Sequence, residues 1–274
     1  MRLRRSLLTR SNFLNAKQMY QQGVTLGTLL MWPIRSRSNS DRPHIFKLRD
    51  GTSFLAPREG LSFHLLWREI WVEEVYAQAG IRIAPEDTVV DIGANLGVFS
   101  LWASSRCESG RVVAVEPSPR MADFARRNAA RNRRSNITVL QVACGGSAGR
   151  AVLYTAYGDE ARNTLDPHSA SSAQALAEVE VVTLSELFRR TNVENCNLLK
   201  IDCEGSEYDL LLKSPIEIFS RIHQIALEYH PGFNESDTPD KLGNFLNARG
   251  FDVSTRQGEI PGYGYLYARK LRTA

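Results

Sequence analysis

The sequence predicts a doubly wound α/β protein, a mostly parallel sheet with helices on both faces. Three observations carry that expectation. Strand-like and helix-like segments alternate from about residue 85 onward. Runs such as VVAV and LLKI are continuously apolar rather than alternating, as strands buried on both faces are. One strand, TVVDIG, leads through Gly93 and Gly97 into a helix, where open parallel sheets receive ligands.

Taken in order, HIFKLRDGTSFLAP alternates around Asp50-Gly51 and reads as a β-hairpin. LLWREIWVEEVYAQAG has apolar residues at helical spacing, with Gly80 as its C-cap. Then come strand TVVDIG with helix Leu96 to Arg106, and strand RVVAVEP with helix PRMADFARRNAARN. ITVLQVACG reads as one strand, followed by GRAVLYTAY and VEVVTLSELF. The small, polar stretch from Thr164 to Ala177 between those two reads as a loop. CNLLKIDCEG with SEYDLLLKS, and IHQIALEYH with PDKLGNFLNARG, are two further strand–helix pairs. FDVSTR and GYLYARK close the chain as a pair around a glycine-rich turn. The boundaries are therefore a basic arm over residues 1–44 and one domain over 45–274. Within that domain, 45–80 form a hairpin and helix cap and 85–270 the core.

Composition narrows the function class. A hydrophobic share of 43% with 23% charged residues is ordinary for a globular chain. Net charge is +4, yet residues 1–40 hold seven basic residues and no acid, so the remainder is acidic. An acidic body excludes nucleic acid as its partner. The arm has twin arginines but no apolar core behind them, and GVTLGTLLMWPI is too short to span a membrane. It is expected to be a packed or frayed helix, with weak membrane-surface contact or a transit peptide as alternatives. Four scattered cysteines without a C-x-x-C fit a reducing compartment, taken here as the cytoplasm.

Four motifs carry chemistry. In VVDIGANLGVFSL the dinucleotide fingerprint G-x-G-x-x-G is broken, because Asn95 stands at the middle glycine and Asp91 ends the strand. A carboxylate there opposes a diphosphate and favours a cationic ligand, and the two glycines let a ligand approach closely. S-adenosylmethionine has a sulfonium and an amino group and no phosphate. Glu116, nineteen residues beyond Gly97, ends the next strand, where an acid accepts hydrogen bonds from ribose hydroxyls. LLKIDCEGSEYDLL places Lys200 and Asp202 on one face of a buried strand, with Glu204 and Glu207 just after it. There an internal ion pair is the alternative to a functional site. IALEYHPG ends another strand with Glu228 and His230 on one face.

These motifs resemble the FkbM family of S-adenosylmethionine-dependent methyltransferases, over roughly residues 45–268 and including the FKLRDG lead-in. The resemblance implies a Rossmann-like class I methyltransferase fold with seven strands, the last antiparallel. It implies O-methylation of a sugar or other small-molecule hydroxyl. By position, Asp91, Gly93, Asn95 and Gly97 would line the methionine half of the cofactor, and Glu116, with Pro117 beside it, would hold the ribose. Val142, Ala143 and Cys144 would lie beside the adenine, and Asp202 and Glu204 would face the reactive methyl. The family's TLDDL is TLSEL here, with Ser185 able to cap a helix.

Methyl transfer needs the acceptor hydroxyl to lose a proton. His230, oriented by Glu228, is the first candidate base and Asp202 the second. In a variant, Asp202, Glu204, Glu228 and His230 hold Mg²⁺, which lowers the hydroxyl's pKa. A non-catalytic nucleoside-binding module and an NAD-type oxidoreductase are the rival functions.

Overall fold

The computed structural model describes residues 19–29, 43–57, 63–156, 159–165, 174–232, 234, 236–258 and 260–271. Most of the basic arm, and the centre of the expected Thr164–Ala177 loop, lie outside them. The described part of the arm is packed: Val24 is buried and bridges Leu48, and the Thr28 hydroxyl accepts from the Lys47 amide at 3.0 Å. Packing thus crosses the boundary expected at residue 44.

β1 (His44–Lys47) and β2 (Ser53–Ala56) form the antiparallel hairpin, with Gly51 at φ +93° in its turn. The cap helix departs from expectation. It is α1 (Phe63–Trp67), then a wide π-type turn (Arg68–Val72), then a 3₁₀ turn (Val75–Ala77). Glu74 and Ala79 are left-handed, at φ +47° and +50°. The widened turn buries Trp67 and Ile70 while the Trp71 indole donates to the Val98 carbonyl at 3.2 Å. A regular helix would rotate one of those groups away.

The core then alternates as expected: β3 (Thr88–Ile92), α2 (Val98–Ser104), β4 (Arg111–Val115), α3 (Pro119–Arg131) and β5 (Ile137–Leu140). α3 starts where Pro119 fits the first turn and the Ser118 hydroxyl accepts from the Met121 amide at 3.3 Å. The chain leaves the main sheet after Leu140. β6 (Ala143–Cys144), β7 (Gly149–Ala156), β8 (Asp159–Thr164) and β9 (Gln174–Val182) form a second sheet in the order β6-β9-β7-β8. So ITVLQVACG is two strands in two sheets, and both ends of the expected loop are strand. Polar β8 has no apolar alternation to announce it, and backbone pairing with β7 makes it a strand.

α4 (Leu184–Arg190) begins at Thr183, whose hydroxyl accepts from the Glu186 amide. Thr183 is therefore the cap rather than Ser185. β10 (Leu198–Ile201), α5 (Glu207–Leu212), β11 (Gln224–Tyr229), α6 (Pro239–Asn247), β12 (Phe251–Gln257) and β13 (Gly264–Lys270) complete the chain.

The seven-stranded sheet has the order β12-β13-β11-β10-β3-β4-β5. Neighbours from β11 to β5 are parallel, and β13 is antiparallel to both its partners. Alternating side chains feed two cores. Val90, Ile92, Leu199 and Ile201 pack with Leu184, Phe188 and Leu211, while Val89, Val112 and Leu198 pack with Phe99, Trp102 and Met121. Each such side chain fully buried contributes on the order of 1.5–3 kcal/mol. Strand order reverses between β3 and β10, which opens a crevice at their carboxyl ends.

Candidate active site

A cleft of about 320 Å³ opens at that reversal. Its walls include Gly93, Asn95, Glu116, Pro117, Val142, Ala143, Cys144, Asp202, Glu204, Glu228 and His230. Sequence elements more than a hundred residues apart thus meet at one surface.

Asp91 does not reach that surface. It is 0% exposed beneath the cleft floor, with Lys200 Nζ 3.0 Å from Oδ1 and the Ser100 hydroxyl donating to Oδ2 at 2.5 Å. Lys200 and Asp91 are register partners on adjacent parallel strands, so their side chains point the same way. The expected lining role of Asp91 is corrected to that of a buried counter-charge. Burial acts to lower the Lys200 pKa, but Asp91 and Asp202 outweigh it and raise it. Lys200 also donates to the Gly93 carbonyl at 2.9 Å, tying the pair to the turn above it.

The protein's own backbone already requires both glycines, and Gly93 also lines the cleft. Gly93 has φ +75°, and a Cβ there would stand 1.6 Å from the Asp202 carbonyl oxygen. Gly97, at φ +77°, faces Ala125 of α3 at 3.3 Å. Asn95 is left-handed at φ +48°, and its amide N–H donates to Glu116 Oε2 at 2.8 Å. The other Glu116 oxygen accepts from the Ser118 amide at 2.9 Å. One carboxylate therefore clamps the turns after β3 and β4. A carboxylate has about four lone-pair positions, so two such bonds leave capacity for ribose hydroxyls. Burial raises the Glu116 pKa to about 7 despite these amide donors.

The acids cluster at the other end of the cleft. Asp202 follows β10, and its amide continues the ladder to the Ile92 carbonyl at 3.0 Å. The Tyr76 hydroxyl contacts Asp202 Oδ2 at 3.0 Å and Glu228 Oε2 at 3.3 Å. His230 is 6% exposed, with Nε2 3.7 Å from Glu204 Oε2 and 4.0 Å from Asp202 Oδ1. Its Nδ1 lies 3.0 Å from Oε1 of Glu207, not Glu228, which corrects the expected orienting partner. Glu207 is 0% exposed, and its two oxygens also accept from the Cys203 and Gly205 amides, each at 2.9 Å. The reason is local: left-handed Glu204 (φ +51°) and Gly205 (φ +100°) turn the chain so that Glu207 folds back under the loop.

The charges follow. Burial pulls the His230 pKa down, but Glu207, Glu204 and Asp202 together carry it well above the ordinary histidine value. Burial, then the charge of Asp202, pushes Glu228 up to about 8. The wall also has Glu69, whose carboxylate accepts from the Tyr265 hydroxyl and whose pKa burial raises. Tyr76 and Glu69 come from the cap, where a helical pattern gave no sign that they reach the acids.

A polar glycine turn at the strand reversal, with acids from β10 and β11 beside it and an antiparallel last strand, defines a Rossmann-like methyltransferase. The methyltransferase FkbM domain matches residues 91–253. The chain belongs to that family. It is 29% identical over 251 residues to the 31-O-demethyl-FK506 methyltransferase FkbM of Streptomyces tacrolimicus, covering 81% of this chain and 94% of that one. It is also 29% identical over 233 residues to the AMB antimetabolite synthetase AmbE of Pseudomonas aeruginosa, covering 71% of this chain but spanning only 11% of AmbE. A solved FkbM methyltransferase from Methylobacillus flagellatus KT aligns with 94% of this chain and 59% of its own, at 17% identity and TM-score 0.49. Membership of a methyltransferase family displaces the oxidoreductase alternative. No described helix is long and apolar enough to cross a membrane.

Proposed function

We propose that the chain is an S-adenosylmethionine-dependent O-methyltransferase acting on a hydroxyl of a sugar or other small molecule, in the cytoplasm. The observation that carries it is the acid and imidazole cluster of Asp202, Glu204, Glu228 and His230 at the mouth of the glycine turn. The four free thiols support the compartment. A relative whose name specifies a methylated oxygen supports the acceptor atom.

When bound, the cofactor supplies an electrophilic methyl on a cationic sulfur. Glu116 and the Asn95 turn would hold the ribose side, and Val142–Cys144 would lie along the adenine. The favourable field for the cation would come from Asp202 and Glu204, and from Glu228 once the cation beside it favours its ionised form, since Lys200 already balances Asp91. The Nδ1–H of His230 would donate to Glu207, leaving Nε2 to act as base. In the free protein the acids keep His230 protonated, and a cation among them lowers its pKa toward the neutral form. Positioning of the hydroxyl in line with the methyl is worth at best on the order of 7–11 kcal/mol.

A divalent cation is the second reading, favoured by one observation. Donor atoms of Asp202, Glu228 and His230 lie within 4.8 Å of one another. Glu204 is outside that set.

The test is a panel of hydroxylated acceptors with methyl-labelled S-adenosylmethionine. Label on an oxygen supports the proposal. Label on nitrogen or carbon overturns O-methylation, and cofactor binding with no transfer to any acceptor favours the non-catalytic module. Activity unchanged in excess EDTA removes the cation.

A further inference from the structure

The second sheet forms a wall of the cleft that the motifs did not predict. Leu153 of β7, Asn163 of β8 and Leu165 just beyond it all face the cleft. Leu153 and Leu165 pack in one small apolar cluster with Ala143, the residue at the cleft's adenine end. The neighbouring Thr164 hydroxyl donates to the Glu204 carbonyl at 3.0 Å, which fixes β8 against the loop after β10. Asn163 therefore lines the cleft from a strand whose next two residues are tied to the Glu204 loop and to the Ala143 cluster.

Its chemistry is unspent. Both the Nδ2 and the Oδ1 of Asn163 are shut off from solvent and have no hydrogen-bond partner among the described residues. Its cross-strand neighbour Thr155 has a buried hydroxyl in the same condition. Such groups are costly to leave unpaired. No described residue pairs with the side chain of Asn163, which lines the cleft beside Leu153, Leu165 and Ala143, so a molecule filling the cleft is placed to supply the partner. The terminal amide torsion of asparagine is soft, so the group can turn toward a ligand at little cost.

We propose that Asn163 reads the adenine of the cofactor, its Oδ1 accepting from the N6 amino group and its Nδ2 donating to the adjoining ring nitrogen. A primary amide carries one acceptor and one donor side by side, which matches the adenine edge as a bidentate pair. The flanking Leu153 and Leu165 suit the flat apolar faces of the base. This assignment rests on S-adenosylmethionine being the cofactor, as argued above. It makes the second sheet part of cofactor selection as well as a cover.

Calorimetry with S-adenosylhomocysteine and with its purine-riboside analogue, which lacks the N6 amino group, tests this. The wild-type protein is expected to prefer the adenine ligand by roughly 5- to 150-fold, the range for leaving one buried acceptor unpaired. Asn163→Ala and Asn163→Ser are expected to lose that preference, and Thr155→Val to keep it. Because the readout is a ratio of two ligands on one protein, a general loss of stability does not imitate it. An unchanged preference in both Asn163 variants overturns the proposal. So does a variant that raises only the KM for the methyl acceptor, which would assign Asn163 to the acceptor. If the wild-type protein binds neither ligand, the methyl-donor reading itself fails, a separate result from loss of the Asn163 contact alone.

Discussion

Glu207 and His230 form a buried pair across two strand ends, Oε1 to Nδ1 at 3.0 Å, with Glu207 fully enclosed and His230 nearly so. Glu207 is itself fixed by two backbone amides, so the imidazole ring is held by the fold and not by a mobile side chain. The tautomer follows for the neutral ring: once His230 gives up its extra proton, the remaining one sits on Nδ1 toward Glu207 and the lone pair on Nε2 is free.

Two outcomes follow for catalysis. His230→Ala should leave cofactor affinity intact and reduce turnover by roughly 10²–10⁴. Glu207→Gln should reduce turnover by less than the roughly 10²–10⁴ that loss of the base itself costs and also move the rising limb of the pH–rate profile to lower pH. Glu207 leads the charges that raise the His230 pKa, so its neutralisation lets the proton leave earlier. A limb that stays in place would show that His230 is not the titrating group.

Asp91 and Lys200 make a different prediction from the one the motif alone invited. With Lys200 2% exposed, Asp91→Ala leaves a buried ammonium with only the more distant Asp202, at 3.7 Å, as counter-charge. Breaking such a pair by removing one partner costs about 3–5 kcal/mol. Loss of cofactor binding in this variant should therefore come with a lowered urea midpoint. The double variant Asp91→Asn, Lys200→Met removes both charges and should recover most of the midpoint. Cofactor binding lost at wild-type stability would instead give Asp91 a direct role.

How far the sequence could be read follows from where each signal lives. The parallel sheet was legible because Val89–Ile92, Val112–Val115 and Leu198–Ile201 are buried on both faces and apolar apart from Asp91 and Lys200. The site was legible where residues end strands, as Asp202, Glu228 and Glu116 do. Two contributors were illegible for physical reasons. Tyr76 lies in a helical-looking segment whose widened turn is set by tertiary packing of Trp67 and Trp71. Asn163 lies on a polar strand that exists through pairing with β7 and has no pattern of its own. Glu207 stood in plain view within the quoted motif, but its partnership with His230 depends on the left-handed turn at Glu204 and Gly205.

Gly93 offers a test of the turn. An alanine there adds a Cβ 1.6 Å from the Asp202 carbonyl at φ +75°, so the loops after β3 and β10 must part. Left-handed strain of about 1–2 kcal/mol adds to that displacement. Gly93→Ala should lower stability by roughly 3 kcal/mol or more and abolish turnover. Gly97→Ala, with its nearest neighbour at 3.3 Å, should be milder. Urea unfolding of both variants checks the order, and equal losses would contradict it.

The buried acids set how stability depends on pH. Glu116 and Glu228 have folded pKa values raised to about 7 and about 8. A carboxyl whose folded pKa lies above its unfolded one binds its proton more tightly in the native state. Its contribution is fully present below pH of about 4.5 and is lost as pH rises through the folded value. The ligand-free protein should therefore lose stability between about pH 5 and 8 through these two groups. Glu228→Gln removes one titration while keeping an oxygen that can accept from Tyr76. Its thermal midpoint should gain on the wild type as pH rises, with the difference growing toward pH 8. Parallel midpoint curves for the two proteins over that range would show that Glu228 ionises in the native state as freely as in the unfolded chain.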